Sequence, residues 1–455
     1  MRHVTPSLLA SLVLVACGGS SSGADVSPAD DGGSSVTTPA DGGTPPSADG
    51  GGGPDGAPSA SAFTKVGRTA EACPLTAAQC QQWPLPADGA VFRYTSLETF
   101  AGKTFERSFH VLVPSAATSA SPVVVVLHGG NGSGARFLAT QAWTTLAMAK
   151  PAGISWTPNT ALCQALPTTE ANGLTLQAPG GGAACTTPTA TVVNTKPFIV
   201  VYPDGVADAG TKDVRHWEDG RVPSPGTGVM TPSRDDVGFI DHVLDVVLSD
   251  ALLPIDPMAV YLAGVSNGGI MAQRIAGSAG ATAYPRLGRI AAYAAYVSDL
   301  AEPITPAPTV SLGLALFHGT GITMPDCATP GCTTPTVLGD ERMPFGDPGS
   351  SHYVNSPDRG RVHSGPDTIA AWRAALGVKG NGTTADVGIF SKRTLFAALP
   401  SVLDSWVTDG GGHTYSSARN DFLPVPRGWA FVSSFRRLPD GTLTRVPQTW
   451  LTGTF

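Results

Sequence analysis

Residues Ala259–Ala276 read AVYLAGVSNGGIMAQRIA. A short apolar run, Ala259–Ala263, leads into Gly264-Val265-Ser266-Asn267-Gly268-Gly269, and an apolar-periodic segment follows. The grammar is strand, sharp turn, helix, with one serine at the apex. A turn this tight requires very small residues two before and two after the serine, and it pushes the hydroxyl out above the strand ends. The helix that begins there aims its first amide hydrogens and its positive dipole end at any oxyanion forming nearby. In a chain of 455 residues with 55 glycines, G-x-S-x-G also arises by chance, so its meaning depends on what flanks it.

Moving outward, Val123–Leu127 (VVVVL) and Phe198–Tyr202 (FIVVY) are continuous apolar runs of the kind buried on both faces of a parallel sheet. Val91–Tyr94 and Phe105–Val113 alternate as an antiparallel pair. Arg136–Lys150 and Thr368–Leu376 read as helices, Ser311–Phe317 as a strand, and Leu403–Val407 as the start of a last strand. Asp235-Asp236-Val237-Gly238-Phe239-Ile240 opens a helix with Ile240, Val243, Leu244 and Val247 on one face. Its aspartate pair reads as capping plus a structural hydrogen bond rather than as a catalytic pair. Buried strands alternating with helices predict an α/β fold with a mostly parallel central sheet and helices on both faces. Every glycine-rich or polar motif follows a strand, so all of them reach one edge of that sheet.

The chain opens with a basic residue, Arg2, and an apolar core from Leu8 to Ala16, too short to span a bilayer. It ends in Leu14-Val15-Ala16-Cys17, which looks like a bacterial lipobox. Residues 1–17 are therefore expected to be a lipoprotein signal, cleaved before a lipidated Cys17, with the mature chain secreted and anchored to a membrane. Residues 18–62 hold no aromatic residue, no lysine or arginine, and six aspartates, the composition of a disordered Gly/Ser/Asp/Pro tether. Without Arg2 and those six aspartates, 27 basic and 29 acidic side chains remain. That near-neutral balance offers no basic stripe for nucleic acid. Residues 63–455 read as one domain, with long insertions at about 151–196 and 321–338.

Setting Cys17 aside, six cysteines fall into close pairs, Cys73 and Cys80, Cys163 and Cys185, Cys327 and Cys332. In an exported chain they are expected to form disulfides between nearest neighbours, since no spacing resembles a metal knuckle.

His128-Gly129-Gly130-Asn131-Gly132 follows the VVVVL strand, where backbone amides could supply a second oxyanion donor; His128 itself reads as structural. His413 follows the last strand and three glycines, and is the best candidate base. Together with Tyr202-Pro203-Asp204-Gly205, Trp217, the Asp235–Ile240 run, the Ser266 turn, His318-Gly319-Thr320 and Gly411-Gly412-His413-Thr414, these motifs stand in a telling order. The order resembles that of the polyhydroxybutyrate depolymerase and feruloyl esterase family of secreted serine esterases, over about residues 85–437. The resemblance implies an α/β-hydrolase fold and cleavage of carboxylic esters with no cofactor and no metal. It implies Ser266 as nucleophile, His413 as base, Asn267 with Gly129 and Gly130 as the oxyanion hole, and Trp217 against the substrate.

The family's acid stands two residues after H-G-T, where this chain has Ile322. Gly339-Asp340-Glu341-Arg342-Met343-Pro344-Phe345-Gly346 looks like the displaced continuation, which assigns Asp340 as triad acid, ahead of Asp326 and then Asp347. The expected partner is an aromatic or hydroxyalkanoate ester, with a feruloyl or acetyl ester somewhat favoured because no substrate-binding module follows Gly428–Arg437. The alternative is a tethered binding protein that keeps the fold and has lost catalysis.

Overall fold

The computed structural model describes residues 62–74, 77–82, 88–100, 102–140, 142–148, 154–156, 190–207, 215–222, 234–320, 345–353, 360–387, 391–408, 424–447 and 451–452. Its centre is an eleven-stranded mixed sheet. In chain order the strands are β1 (Ala62–Glu71), β2 (Gly89–Phe100), β3 (Lys103–Pro114), β4 (Ser121–Leu127), β5 (Ile199–Pro203) and β6 (Ile255–Val265). There follow β7 (Ala292–Tyr296), β8 (Gly313–Gly319), β9 (Thr383–Asp386), β10 (Ser391–Ala398) and β11 (Ser401–Thr408). Across the sheet they run β1-β2-β3-β5-β4-β6-β7-β8-β11-β10-β9. The six from β5 to β11 are parallel. β1, β2 and β3 extend one side antiparallel, and β10 and β9 the other. A parallel centre whose strands cross over near β4, with a strand–turn–helix carrying serine on the next strand, is the α/β-hydrolase fold.

The helices are α1 (Ala77–Gln82), α2 (Gly134–Thr140), α3 (Ala142–Ala147), α4 (Asp236–Ser249), α5 (Asn267–Gly277), α6 (Gly365–Ala375) and α7 (Pro424–Val432). Period-two alternation divides the core between two faces. Val124 and Val126 of β4 join Phe198, Tyr261, Trp143 and Trp429, toward α2, α3 and α7. Val123, Val125 and Leu127 join Ile240, Val243, Leu244 and Met271, toward α4 and α5. The run Val123–Leu127 within β4, wholly β-branched and aliphatic, is what covering both faces demands.

The antiparallel opening pair, the two continuous apolar strands, the α4 helix and the last strand stand where the sequence predicts them. The stretch expected as one helix over Arg136–Lys150 is instead α2 and α3. The Thr144 hydroxyl donates to Leu138 O at 2.6 Å, so a side chain takes the carbonyl that a continuous helix would offer to its own backbone. The Cys73–Cys80 disulfide is formed, with Cα atoms 6.1 Å apart. The other two cysteine pairs, Cys17, the tether and most of the two insertions lie outside the described residues.

Candidate active site

Ser266 sits between β6 and α5 with φ 55° and ψ −123°. That backbone is disfavoured for any residue with a Cβ, and it persists only where the surroundings dictate it. Three contacts do so. The Ser266 amide donates to Tyr296 O on β7 at 2.9 Å, and the Ser266 carbonyl accepts from Ile270 N at 2.9 Å. The glycines supply the third. A Cβ on Gly264 would lie 2.1 Å from Gly268 O, one on Gly268 2.4 Å from His128 O, and one on Gly269 2.4 Å from Ser298 Oγ. Every small residue of the motif is therefore required by a specific close approach.

The turn after β4 lies directly against the serine. A Cβ on Gly129 would be 3.4 Å from Ser266 Cβ, and one on Gly130 would be 3.1 Å from the His216 ring and 3.8 Å from Asn267 Cβ. Asn131 adopts φ 64°, which asparagine tolerates better than most residues, and its amide donates to Arg215 O at 3.0 Å. Gly129, Gly130, Ser266 and Asn267 thus come together as the sequence predicts. The Asn267 amide is in the first turn of α5, where backbone N–H groups have no intrahelical acceptor.

The side chain of Asn267 points away from this space and is locked. Its Oδ1 accepts from Trp217 N at 2.8 Å, and its Nδ2 donates to Trp217 O at 3.2 Å and Asp219 Oδ2 at 2.5 Å. Arg221 in turn holds Asp219, with Nε 2.9 Å from Oδ2. Trp217, expected against the substrate, has a different place. It is fully buried, and its indole Nε1 donates to His128 O at 2.8 Å. One residue therefore braces both segments that meet at the serine.

His128 is structural, as its context suggests. Gly205 N donates to Nε2 at 2.9 Å, which makes Nε2 the acceptor and leaves the proton on Nδ1, 2.7 Å from Gly129 O. Burial pushes its pKa down to about 4, against the raising effect of the Gly129 bond, so the ring is neutral in working conditions.

Behind the turn, Asp204 accepts from Ser108 Oγ at 2.7 Å and Gly134 N at 2.8 Å, and lies 3.6 Å from His110 Nε2. Burial opposes charge on His110, but its bonds to Asp204 and Glu71 and their charges outweigh it and raise its pKa to about 9. The aspartate pair at α4 is structural. Asp235 caps the helix by accepting from Gly238 N at 2.7 Å, and Asp236 pairs with buried Arg107 and accepts from Glu218 N at 2.7 Å.

His318, the last residue but one of β8, is in register with Val407, and Thr320 N donates to Thr408 O at 3.0 Å. The chain toward Asp340 and the chain toward His413 therefore leave the same sheet edge side by side. His413, Asp340 and Asp326 themselves lie outside the described residues. Asp347 is an exposed turn residue whose carbonyl accepts from Ser350. A buried pair unseen in the sequence is also present, Asp299 with His318 Nε2 at 3.1 Å. Asp299 follows Val297, a β-branched residue held at φ 43°, beyond an alanine-rich strand with little sequence signature.

No protein-family model and no curated protein sequence matches the chain. Among solved structures it is similar to an acetyl xylan esterase from Aspergillus awamori, at 15% identity and a TM-score of 0.39 over 68% of this chain and 89% of that one. It is also similar to a thermostable esterase, at 12% identity and a TM-score of 0.25 over 51% and 56%. Brefeldin A esterase, described as a bacterial homologue of human hormone-sensitive lipase, matches at 20% identity and 0.25 over 47% and 42%. At these values the likeness assigns no residue and no substrate to this chain.

Proposed function

We propose that this chain is a serine carboxylic-ester hydrolase of the polyhydroxybutyrate depolymerase and feruloyl esterase type, exported and held at a bacterial membrane by a lipid on Cys17. The observation that carries the reading is the Ser266 backbone, φ 55° and ψ −123°, held at a strand–helix apex against the Gly129–Gly130 turn. A conformation this costly, surrounded by glycines whose absent side chains make the room, suits a hydroxyl that must stand clear of the backbone to attack.

In this scheme His413 takes the Ser266 proton as Oγ attacks the ester carbonyl. The carbonyl π electrons move onto oxygen, and the oxyanion accepts from the Asn267 amide and an amide of the Gly129–Gly130 turn. Collapse expels the alcohol, protonated by His413, and leaves an acyl-serine. Water, activated by the same imidazole, then releases the acid. Asp340 is the carboxylate assigned to orient the ring and balance its charge.

Labelling by a fluorophosphonate, with Ser266→Ala as control, is the direct test. Ser266-dependent labelling and hydrolysis of p-nitrophenyl acetate are expected. An unlabelled chain that still binds a polymer would favour the tethered binding role. Methyl ferulate and short hydroxybutyrate oligomers choose between ester classes. For the anchor, Cys17→Ala in the native host is expected to move the protein from the membrane fraction to the soluble one.

A further inference from the structure

A cavity of about 300 Å³ opens on the same sheet edge, lined by Arg107, Arg215, Arg234, Glu106, Ser108 and Asp204 with the backbone of Gly205 and Val206. It shares walls with the oxyanion turn. Gly205 is the residue bonded to His128 Nε2, and Arg215 pairs across a β-bridge with Gly132, so cavity-wall residues contact the Gly129–Gly132 turn that lies against Ser266.

The hydrogen-bond inventory of this cavity is lopsided. Its acceptors are occupied: Asp204 by Ser108, Gly134 and His110, and Glu106 by Arg93 at 3.2 Å. The carboxylates behind the wall, Glu98 and Asp236, are both taken by Arg107 at 2.7 and 2.5 Å. Its donors are not all occupied. Arg234 makes no ion pair among the described residues; its guanidinium carbon lies 3.5 Å from the centre of the Phe105 ring. Arg215 donates to Gly205 O at 3.1 Å but is 3.8 Å from Asp204, beyond hydrogen-bond range. Guanidinium forks match carboxylate geometry, and the Arg234 fork is held by no carboxylate among the described residues. Charge alone does not decide the matter, since nearby carboxylates balance the arginines. The surplus of donors does.

We propose that this cavity is a specificity subsite that binds a carboxylate on the acyl or alcohol part of the ester held at Ser266. The inference rests on the esterase reading. It narrows the substrate to esters bearing an anionic group, with Arg234 and Arg215 as the recognising side chains. Stacking on Phe105 fixes the Arg234 plane in advance, which lowers the ordering entropy lost on binding.

Succinate is the probe and succinamide its neutral twin, each tested as an inhibitor of p-nitrophenyl butyrate hydrolysis. Succinate is expected to compete with substrate at least about tenfold more tightly than succinamide, the scale of one charge-assisted hydrogen bond. Arg234→Gln is expected to erase that difference, with Arg234→Lys intermediate because a point charge lacks the fork. Equal inhibition by the two compounds, a non-competitive pattern, or an Arg234→Gln protein that retains the preference would overturn the proposal. Should Arg234→Gln fail to fold, Arg215→Gln is expected to show the same loss, and its absence counts equally against the subsite. Titration calorimetry of succinate into Ser266→Ala reads the subsite without catalysis. Binding there, together with an unaltered chain that hydrolyses no ester, would remove the esterase reading and leave the carboxylate site standing.

Discussion

Trp217 donates its indole N–H to the carbonyl oxygen of His128 at 2.8 Å, and that bond ties the turn after β4 to the serine's own helix. The tie works because the backbone of the same tryptophan is paired with the Asn267 side chain. An oxyanion hole needs its two amides fixed relative to one another before charge develops, and in the proposed esterase a single buried side chain would set their spacing. Trp217→Phe keeps an aromatic ring but deletes the pyrrole half of the indole and with it the bond. Its kcat is expected to fall roughly tenfold to a hundredfold, less than for loss of an oxyanion donor itself, with KM little changed. A proportional rise in KM would instead assign Trp217 to substrate contact.

The glycines of the elbow should separate into two classes. Gly264→Ala would place a methyl 2.1 Å from Gly268 O, where only backbone movement can relieve it. A loss of about 3 kcal/mol or more, or no folded protein, is expected by urea denaturation. Gly129→Ala meets Ser266 Cβ at an ordinary 3.4 Å. It should fold with a nearly unchanged Tm while crowding the nucleophile, so its defect is expected in kcat rather than in stability.

Much of the fold was legible because apolar β-branched runs have few alternatives to a buried strand. VVVVL and FIVVY belong to that class, as does the paired Asp235–Asp236 start of α4, whose capping role follows from local chemistry alone. The strand β7, AYAAY, escaped because its three helix-favouring alanines mask two strand-favouring tyrosines; its neighbours β6 and β8 make it a strand. The β9–β10 hairpin escaped because its residues are largely polar, and α7 because PVPRGWAFV carries two prolines and a glycine that argue against helix. At the candidate site, the close approach of Ser266, Asn267 and the glycine turn was readable from spacing. The bracing role of Trp217 was not. It depends on contacts 50 and 89 residues away, which no local pattern encodes.

The pair of His110 and Asp204 predicts how stability follows pH. His110 is raised to about 9 from an ordinary 6.5, so its contribution is full below about 6.5 and is lost as pH rises through 9. Asp204 is lowered from 3.8, where burial is overcome by its bonds to His110 and Ser108 and by the charges of His110 and Arg215. Its contribution is present above its ordinary value and is lost as pH falls toward the depressed one. Urea midpoints should therefore decline between pH 7 and 9.5. In His110→Gln that alkaline decline should flatten.

Arg107 carries a separate prediction. It is 3% exposed and the shared partner of Glu98 and Asp236. Arg107→Met strands two buried carboxylates and is expected to cost about 3–5 kcal/mol. Adding Glu98→Gln and Asp236→Asn should restore part of that loss, because the stranded charges, more than the missing attraction, are what destabilise. A triple variant no more stable than Arg107→Met would show that the cost lies in packing against Phe239, 3.8 Å from the guanidinium, instead.

The tautomer of His128 bears on how the kinetics of this protein are to be read. With one ring nitrogen accepting from Gly205 and the other donating to Gly129, a second proton can enter only by breaking a bond that shapes the turn. The imidazole nearest the nucleophile's neighbouring loop is thus mute between about pH 5 and 9. Any inflection in kcat/KM across that interval therefore reports a group other than His128.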